Sequence, residues 1–190
     1  MSFFKKIIPV IIIAIMVSQC SKRNEFVIKK GAVGNLDKET VMLDLLEIFE
    51  NDSLVSGVER NDLEQNSTSF VSTSGEYIVF SKTGKKMLEI VPANLNDSLS
   101  KIKSIEIFDP SYKTEKGVSL ASNFSDINKN YMVNKVETTL TSATLFIDEL
   151  NATISIDKKE LGLNQFSREQ IRIDQIPDLA KIKYFTIWFN

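Results

Sequence analysis

The chain has 190 residues, 43% hydrophobic and 25% charged, with 23 basic and 25 acidic side chains and a formal net charge of −2. That balance leaves no basic surplus for nucleic acid, so no nucleic-acid partner is expected. There is no histidine and one cysteine, Cys20, which removes Ser-His-Asp and Cys-His catalysis, the usual zinc sites and any disulfide framework.

The first element is a targeting segment. Lys5 and Lys6 precede an apolar run, Ile7 to Val17, broken only by Pro9. At about 11 residues the run is roughly half of a spanning helix, so it reads as a signal-peptide core over residues 1–19. The following "VSQCSK" resembles a bacterial lipobox, although Val17 stands for the commoner leucine and Gln19 is bulkier than usual. The resemblance implies that Cys20 is lipidated and becomes the first mature residue, making the membrane a partner. The alternative is a secreted protein with one free thiol, a liability in an oxidising compartment. Residues 20–25 form a short tether, which reaches about 17 Å when extended. Residues 26–190 read as one domain, with no repeat or linker. Ser21 after the cysteine favours the outer membrane, with the exposed face left open.

"TVMLDLLEIFEND", 40–52, predicts the longest helix. Val41, Leu45, Ile48 and Phe49 form an apolar stripe, and Asp37 and Glu39 suit its positive end. "EYIVFSKTGKKMLEIV" predicts a hairpin, with Gly84 supplying the positive φ of the turn. Ile105 and Ile107 alternate with Ser104 and Glu106, as on a half-buried strand. "SATLFIDELNATISID" predicts a second hairpin. Ala143, Leu145 and Ile147 share one face of its first arm, and Ile154 and Ile156 share one face of its second. Phe185, Ile187 and Phe189 alternate with Tyr184, Thr186 and Trp188. A strand apolar on both faces belongs in the middle of a sheet or under a helix. The expectation is an α+β fold: an antiparallel sheet of about seven strands carrying one long and one short helix.

"GVSLASNFSDINKNY", 117–131, admits two readings. Asp126, Asn128 and Asn130 match the start of a calcium loop and Glu137 its end, but Tyr131 occupies the position that needs glycine. The favoured reading is a short helix capped by Ser122, with Phe124, Ile127 and Tyr131 on one apolar face and Gly117 and Ala121 allowing a tight turn into it. Phosphate-cradle motifs are absent. Asp148 and Glu149 form an acidic pair of the kind hydrolases use, but in a turn-like stretch they read as solvated charge. No enzyme activity, cofactor or metal is expected. Asp52-Ser53-Leu54 and Asp97-Ser98-Leu99 resemble the O-glycosylation pattern of exported Bacteroidetes proteins, which makes Ser53 and Ser98 candidate modification sites; Asp and Ser are also ordinary turn formers.

"GAVGNL" (31–36), "KIKSIEIFD" (101–109), "KGVSLASNFSDI" (116–127) and the final "KIKYFTIWF" with Trp188 occur in an order and spacing that resembles the RpoE (sigma-E)-regulated lipoproteins of the bacterial envelope. The hairpin region 136–157 and "DQIPDLA" depart from that pattern. The resemblance implies a domain of unknown function at the outer membrane, associated with envelope stress and with no catalytic residues to carry over. It also implies that "GVSLASNFSDI" is a structural strand-to-helix turn. Two functions follow as expectations. The first is a non-enzymatic, lipid-anchored interaction or envelope-maintenance module with an envelope protein partner. The second is a small-ligand binder with a pocket between helix 40–52 and the sheet.

Overall fold

Alternating apolar and polar residues pair strand after strand in the computed structural model, which describes residues 25–56, 75–164 and 169–189. The larger sheet contains β4 (Ser53–Ser56), β5 (Tyr77–Phe80), β6 (Lys86–Pro92), β7 (Ile102–Ile107), β9 (Lys135–Thr138), β10 (Ser142–Ile147), β11 (Ala152–Asp157) and β12 (Ile182–Trp188). Its eight strands run in the order β4-β5-β6-β7-β12-β11-β10-β9, every pair antiparallel. The last strand is therefore central, as its two apolar faces require. The first hairpin turns through Gly84 at φ 78°, closed by Ser81 N–H donating to the Lys85 carbonyl at 2.9 Å.

Register sorts the two faces. Ile90, Ile105, Ile187, Ala152 and Ile147 pair in one row across five strands, and all are buried. The neighbouring row on the other face runs Val55, Ile78, Glu89, Glu106, Thr186, Thr153, Phe146, Lys135 across all eight strands. This is the apolar-in, polar-out division of an antiparallel sheet.

The smaller sheet has the order β3-β2-β1-β8, with β1 (Val27–Lys29), β2 (Ala32–Val33), β3 (Leu36–Asp37) and β8 (Lys113–Thr114). β1 and β8 are parallel, with Ile28 opposite Thr114. Ile28, Val33 and Leu36 deliver this sheet's apolar side chains to the common core.

Two α-helices lie among the described residues, α1 (Leu45–Ile48) and α2 (Phe124–Asn130), with 3₁₀ turns at Met42–Asp44, Lys158–Leu161 and Ile173–Gln175. α2 presents the expected face, and Phe124, Ile127 and Tyr131 are all buried. Its cap is Asn123 rather than Ser122. Asn123 Oδ1 accepts from the Asp126 N–H at 3.0 Å, and Asp126 Oδ2 accepts from the Asn123 N–H at 3.0 Å, a reciprocal capping box. Ser122 Oγ instead accepts from the Ser119 N–H. The calcium-loop reading is overturned. Asp126 and the residues after it are helical, its carboxylate is held by the cap, and Glu137 lies on β9 in an ion pair with Lys135. Asp148 and Glu149 are exposed, and Glu149 pairs with Lys116 at 2.6 Å.

The long helix is also corrected. Residues 42–44 form a 3₁₀ turn, and α1 spans only Leu45–Ile48. The stripe faces inward as expected at Leu45 and Phe49, but carbonyls of the 93–100 loop capture the early N–H groups. Met42 donates to Ser100 O at 3.0 Å and Leu43 to Ser98 O at 2.9 Å. Asp37 does not sit on a helix dipole; its Oδ1 accepts from Glu39 and Thr40 N–H groups, while Glu39 pairs with Lys101 at 2.8 Å. The sheet count changes too: twelve strands in two sheets replace about seven in one, because β1–β4, β8 and β9 are too short to show a period.

One contact on the outward face works against the fold. Glu89 and Glu106 stand directly opposite each other. Burial raises the Glu106 carboxyl above its ordinary value, and Glu89 raises it further, against a smaller lowering by Lys86. A group raised in the folded state contributes stability at low pH that is lost as pH rises. Glu106→Gln is therefore expected to gain up to about 1 kcal/mol at neutral pH, the scale of a cross-strand pair. The gain should shrink in acid, where the wild-type carboxyl is protonated. Urea unfolding at both pH values checks this; an equal gain at both would remove charge as the cause.

Candidate binding cleft

Three parts of the chain leave a space where the small sheet meets the first hairpin, a cleft of about 400 Å³. The small sheet supplies Phe26, Val33 and Asn35, with Glu25 just before it. The end of α1 supplies Ile48 and Phe49, followed by Asn51 and Asp52. The hairpin supplies Ser81 to Thr83 and Met87, and Tyr112 closes the wall ahead of β8.

Gly34 makes the small-sheet wall possible. Its N–H donates to the Val27 carbonyl at 2.9 Å in the β1–β2–β3 turns. Its φ is +58°, and a Cβ would stand 2.4 Å from the Glu25 carbonyl oxygen. Both the conformation and the close approach demand glycine. Asn35, next in sequence, has a buried Oδ1 with no hydrogen-bond partner among the described residues. Such an orphan costs about 1–3 kcal/mol.

Tyr112 is nearly fully buried, and its ring meets Phe26 edge-on with centroids 5.1 Å apart. Burial pushes its hydroxyl well above the ordinary tyrosine value, and Asp52, Asp109 and Glu25 push it further. Asp109 is already engaged. Burial alone would raise its carboxyl, but the Ser111 N–H at 2.8 Å and Lys85 at 3.1 Å outweigh burial and hold it low. Lys82 stands at the same wall, with its Nζ donating to Asn51 Oδ1 at 3.3 Å.

A second, shallower groove of about 390 Å³ lies on the outward sheet face between Phe146 and Trp188. The indole N–H donates to Thr153 Oγ1 at 3.1 Å, and Thr144 and Ser155 share a hydrogen bond of 3.1 Å. These polar groups are turned on one another rather than toward a ligand. Among the described residues no group of three or more His, Cys, Asp or Glu is arranged to hold a metal ion.

The residues singled out in sequence do not meet here. Cys20 lies outside the described residues. Ser53 is exposed at the start of edge strand β4, one position after Asp52 of the cleft wall, and Ser98 is exposed in the loop that holds α1. Neither lines the cleft. Phe26, Asn35, Lys82 and Tyr112 carried no sequence signal of their own. The nearest hint was "GAVGNL", whose valine and asparagine, Val33 and Asn35, prove to be wall residues.

No family model matches the chain, and no curated protein does. Among solved structures, the uncharacterized protein YfeY from Escherichia coli shares the fold. Its crystal structure aligns with a TM-score of 0.52 and 12% identity, over 85% of this chain and 98% of that one. The chain is thus an α+β protein of the architecture found in YfeY, a likeness of fold at this identity.

Gly34→Ala is expected to destabilise the protein by about 1–3 kcal/mol, the range for strain at a positive φ. Thermal melting checks it. An unchanged melting temperature would mean that the Glu25 segment moves aside without loss.

Proposed function

We propose that the chain is a lipid-anchored protein of the bacterial envelope, a non-enzymatic interaction or envelope-maintenance module held at the outer membrane through Cys20. The observation that carries the module reading is a surface patch of leucines. Leu43, Leu46 and Leu99 are 58%, 69% and 67% exposed. Leu46 lies one helical turn from Leu43, and the Leu43 N–H bond to Ser98 O brings Leu99 alongside. Large apolar side chains grouped on a surface mark an interaction site. The basic, apolar and Cys20 pattern supports the anchor. The likeness in fold to an Escherichia coli protein agrees with the resemblance to enterobacterial envelope lipoproteins. Exposure of Ser53 and Ser98 is compatible with their glycosylation.

Cys20→Ser is expected to move the protein from the membrane pellet to the soluble fraction of lysed cells; retention in the pellet rules out the lipid anchor. A photocrosslinking residue at Leu43 is expected to capture one envelope protein reproducibly, and Leu46→Asp to abolish the adduct while melting stays unchanged. An adduct insensitive to Leu46→Asp, or none, counts against the patch.

The second reading is a small-ligand binder. The cleft favours it, because it lies between the end of the 40–52 segment and the sheets and has a volume in the range of ligand sites.

A further inference from the structure

We infer that the cleft takes a small organic amine, one protonated ammonium carried on an apolar body. This rests on the ligand-binding reading and adds the chemical class of the ligand.

The walls divide into two kinds. Val33, Ile48, Phe49 and Met87, with the Phe26 and Tyr112 rings, offer an apolar lining for a hydrocarbon or aromatic body. Against them stand Glu25 and Asp52, and among the described residues neither carboxylate has a counter-ion. Lys82 is the one cation in the lining, and its ammonium is hydrogen-bonded to Asn51. Lys85 is paired with Asp109 outside the lining. Two carboxylates against one committed ammonium give the space a negative potential that favours a cation and opposes an anion.

An ammonium brings three donors and no acceptor, which suits two carboxylates without a counter-ion; a carboxylate or phosphate brings no donor. The edge-on Phe26–Tyr112 pair adds aromatic surface, on which cations are attracted to ring faces.

The amine has two possible sources, a free metabolite or the head of an amine-bearing lipid. Glu25 of the wall is five positions after Cys20, so an anchored chain would bring the cleft within reach of lipid heads.

The test uses the full-length chain in neutral detergent micelles and equilibrium dialysis against labelled 2-phenylethylamine, with 2-phenylethanol and 3-phenylpropionate as neutral and anionic counterparts. The expected result is saturable binding of one amine per chain, with the anion at least about tenfold weaker, as for loss of a charge-assisted contact. Asp52→Asn is expected to weaken amine binding about tenfold without changing the melting curve. Glu149→Gln, away from the cleft wall, should leave it unchanged. Equal binding of all three compounds, or indifference to Asp52→Asn, overturns the amine assignment while leaving a ligand cleft. Absence of saturable binding by any of them overturns both. Displacement of the amine by lysophosphatidylethanolamine but not lysophosphatidylglycerol assigns the lipid source; displacement by neither assigns the free amine.

Discussion

The fold depends on the insertion of β12 between β7 and β11. Without it the larger sheet is two separate pieces, β4 to β7 and β9 to β11. Ile187 joins them, opposite Ile105 on one side and Ala152 on the other, and Phe185 faces Ile154. Both side chains are completely buried, and each such burial stabilises by roughly 1.5–3 kcal/mol. The core cannot close until β12 pairs with β7, which lies far before it in sequence. Pairings of such long sequence separation slow folding.

The small sheet attaches by a different device. β1 joins β8 in parallel, through Val27 opposite Lys113 and Ile28 opposite Thr114. Gly117 at φ 83° turns β8 back, so that Thr114 N–H reaches the Val118 carbonyl at 2.8 Å and Val118 is buried. The same chain then enters α2 through the Asn123 cap. "GVSLASNFSDI" is thus punctuation between a strand and a helix. The cleft follows from this attachment. A two-residue strand such as β2 or β3 carries too little apolar surface to seal against the hairpin along its whole length, and the remaining gap is walled by Phe26, Asn35 and Tyr112.

What was legible in the sequence was whatever repeats locally. Strands β6, β7, β10, β11 and β12 run for six or seven residues, long enough to show their alternation, and their inward positions are the buried ones. The 124/127/131 face was legible for the same reason at helical period. The 40–52 stripe had the right period but lost to tertiary contacts: the Ser98 and Ser100 carbonyls hold the start of the segment, and pairing of Ser53 with Phe80 ends it. The cleft was legible only as a place, beside that segment. Its residues lie at 25–26, 33–35, 48–52, 81–87 and 112, and no local pattern announces that such distant positions converge.

The outward face of the large sheet bears on where a partner can dock. Its middle carries Glu89 and Glu106, with Lys86 bonded to Glu89 at 2.5 Å and lying 3.7 Å over the Phe108 ring. A partner pressed flat here must strip water from two facing carboxylates, one already raised by burial, with a single lysine between them. The sheet's edges are guarded as well. β9 presents Lys135 and Glu137 outward, and Thr138 Oγ1 is taken by the Ile171 N–H at 2.8 Å. β4 is four residues long with serines at both ends. Short or charged edges discourage strand addition. Leu43, Leu46 and Leu99 carry no such penalty, since Asp44 and Glu47 beside them are exposed and stay in water at the rim of a contact. Desolvation therefore costs least at the small helical corner and most on the broad sheet.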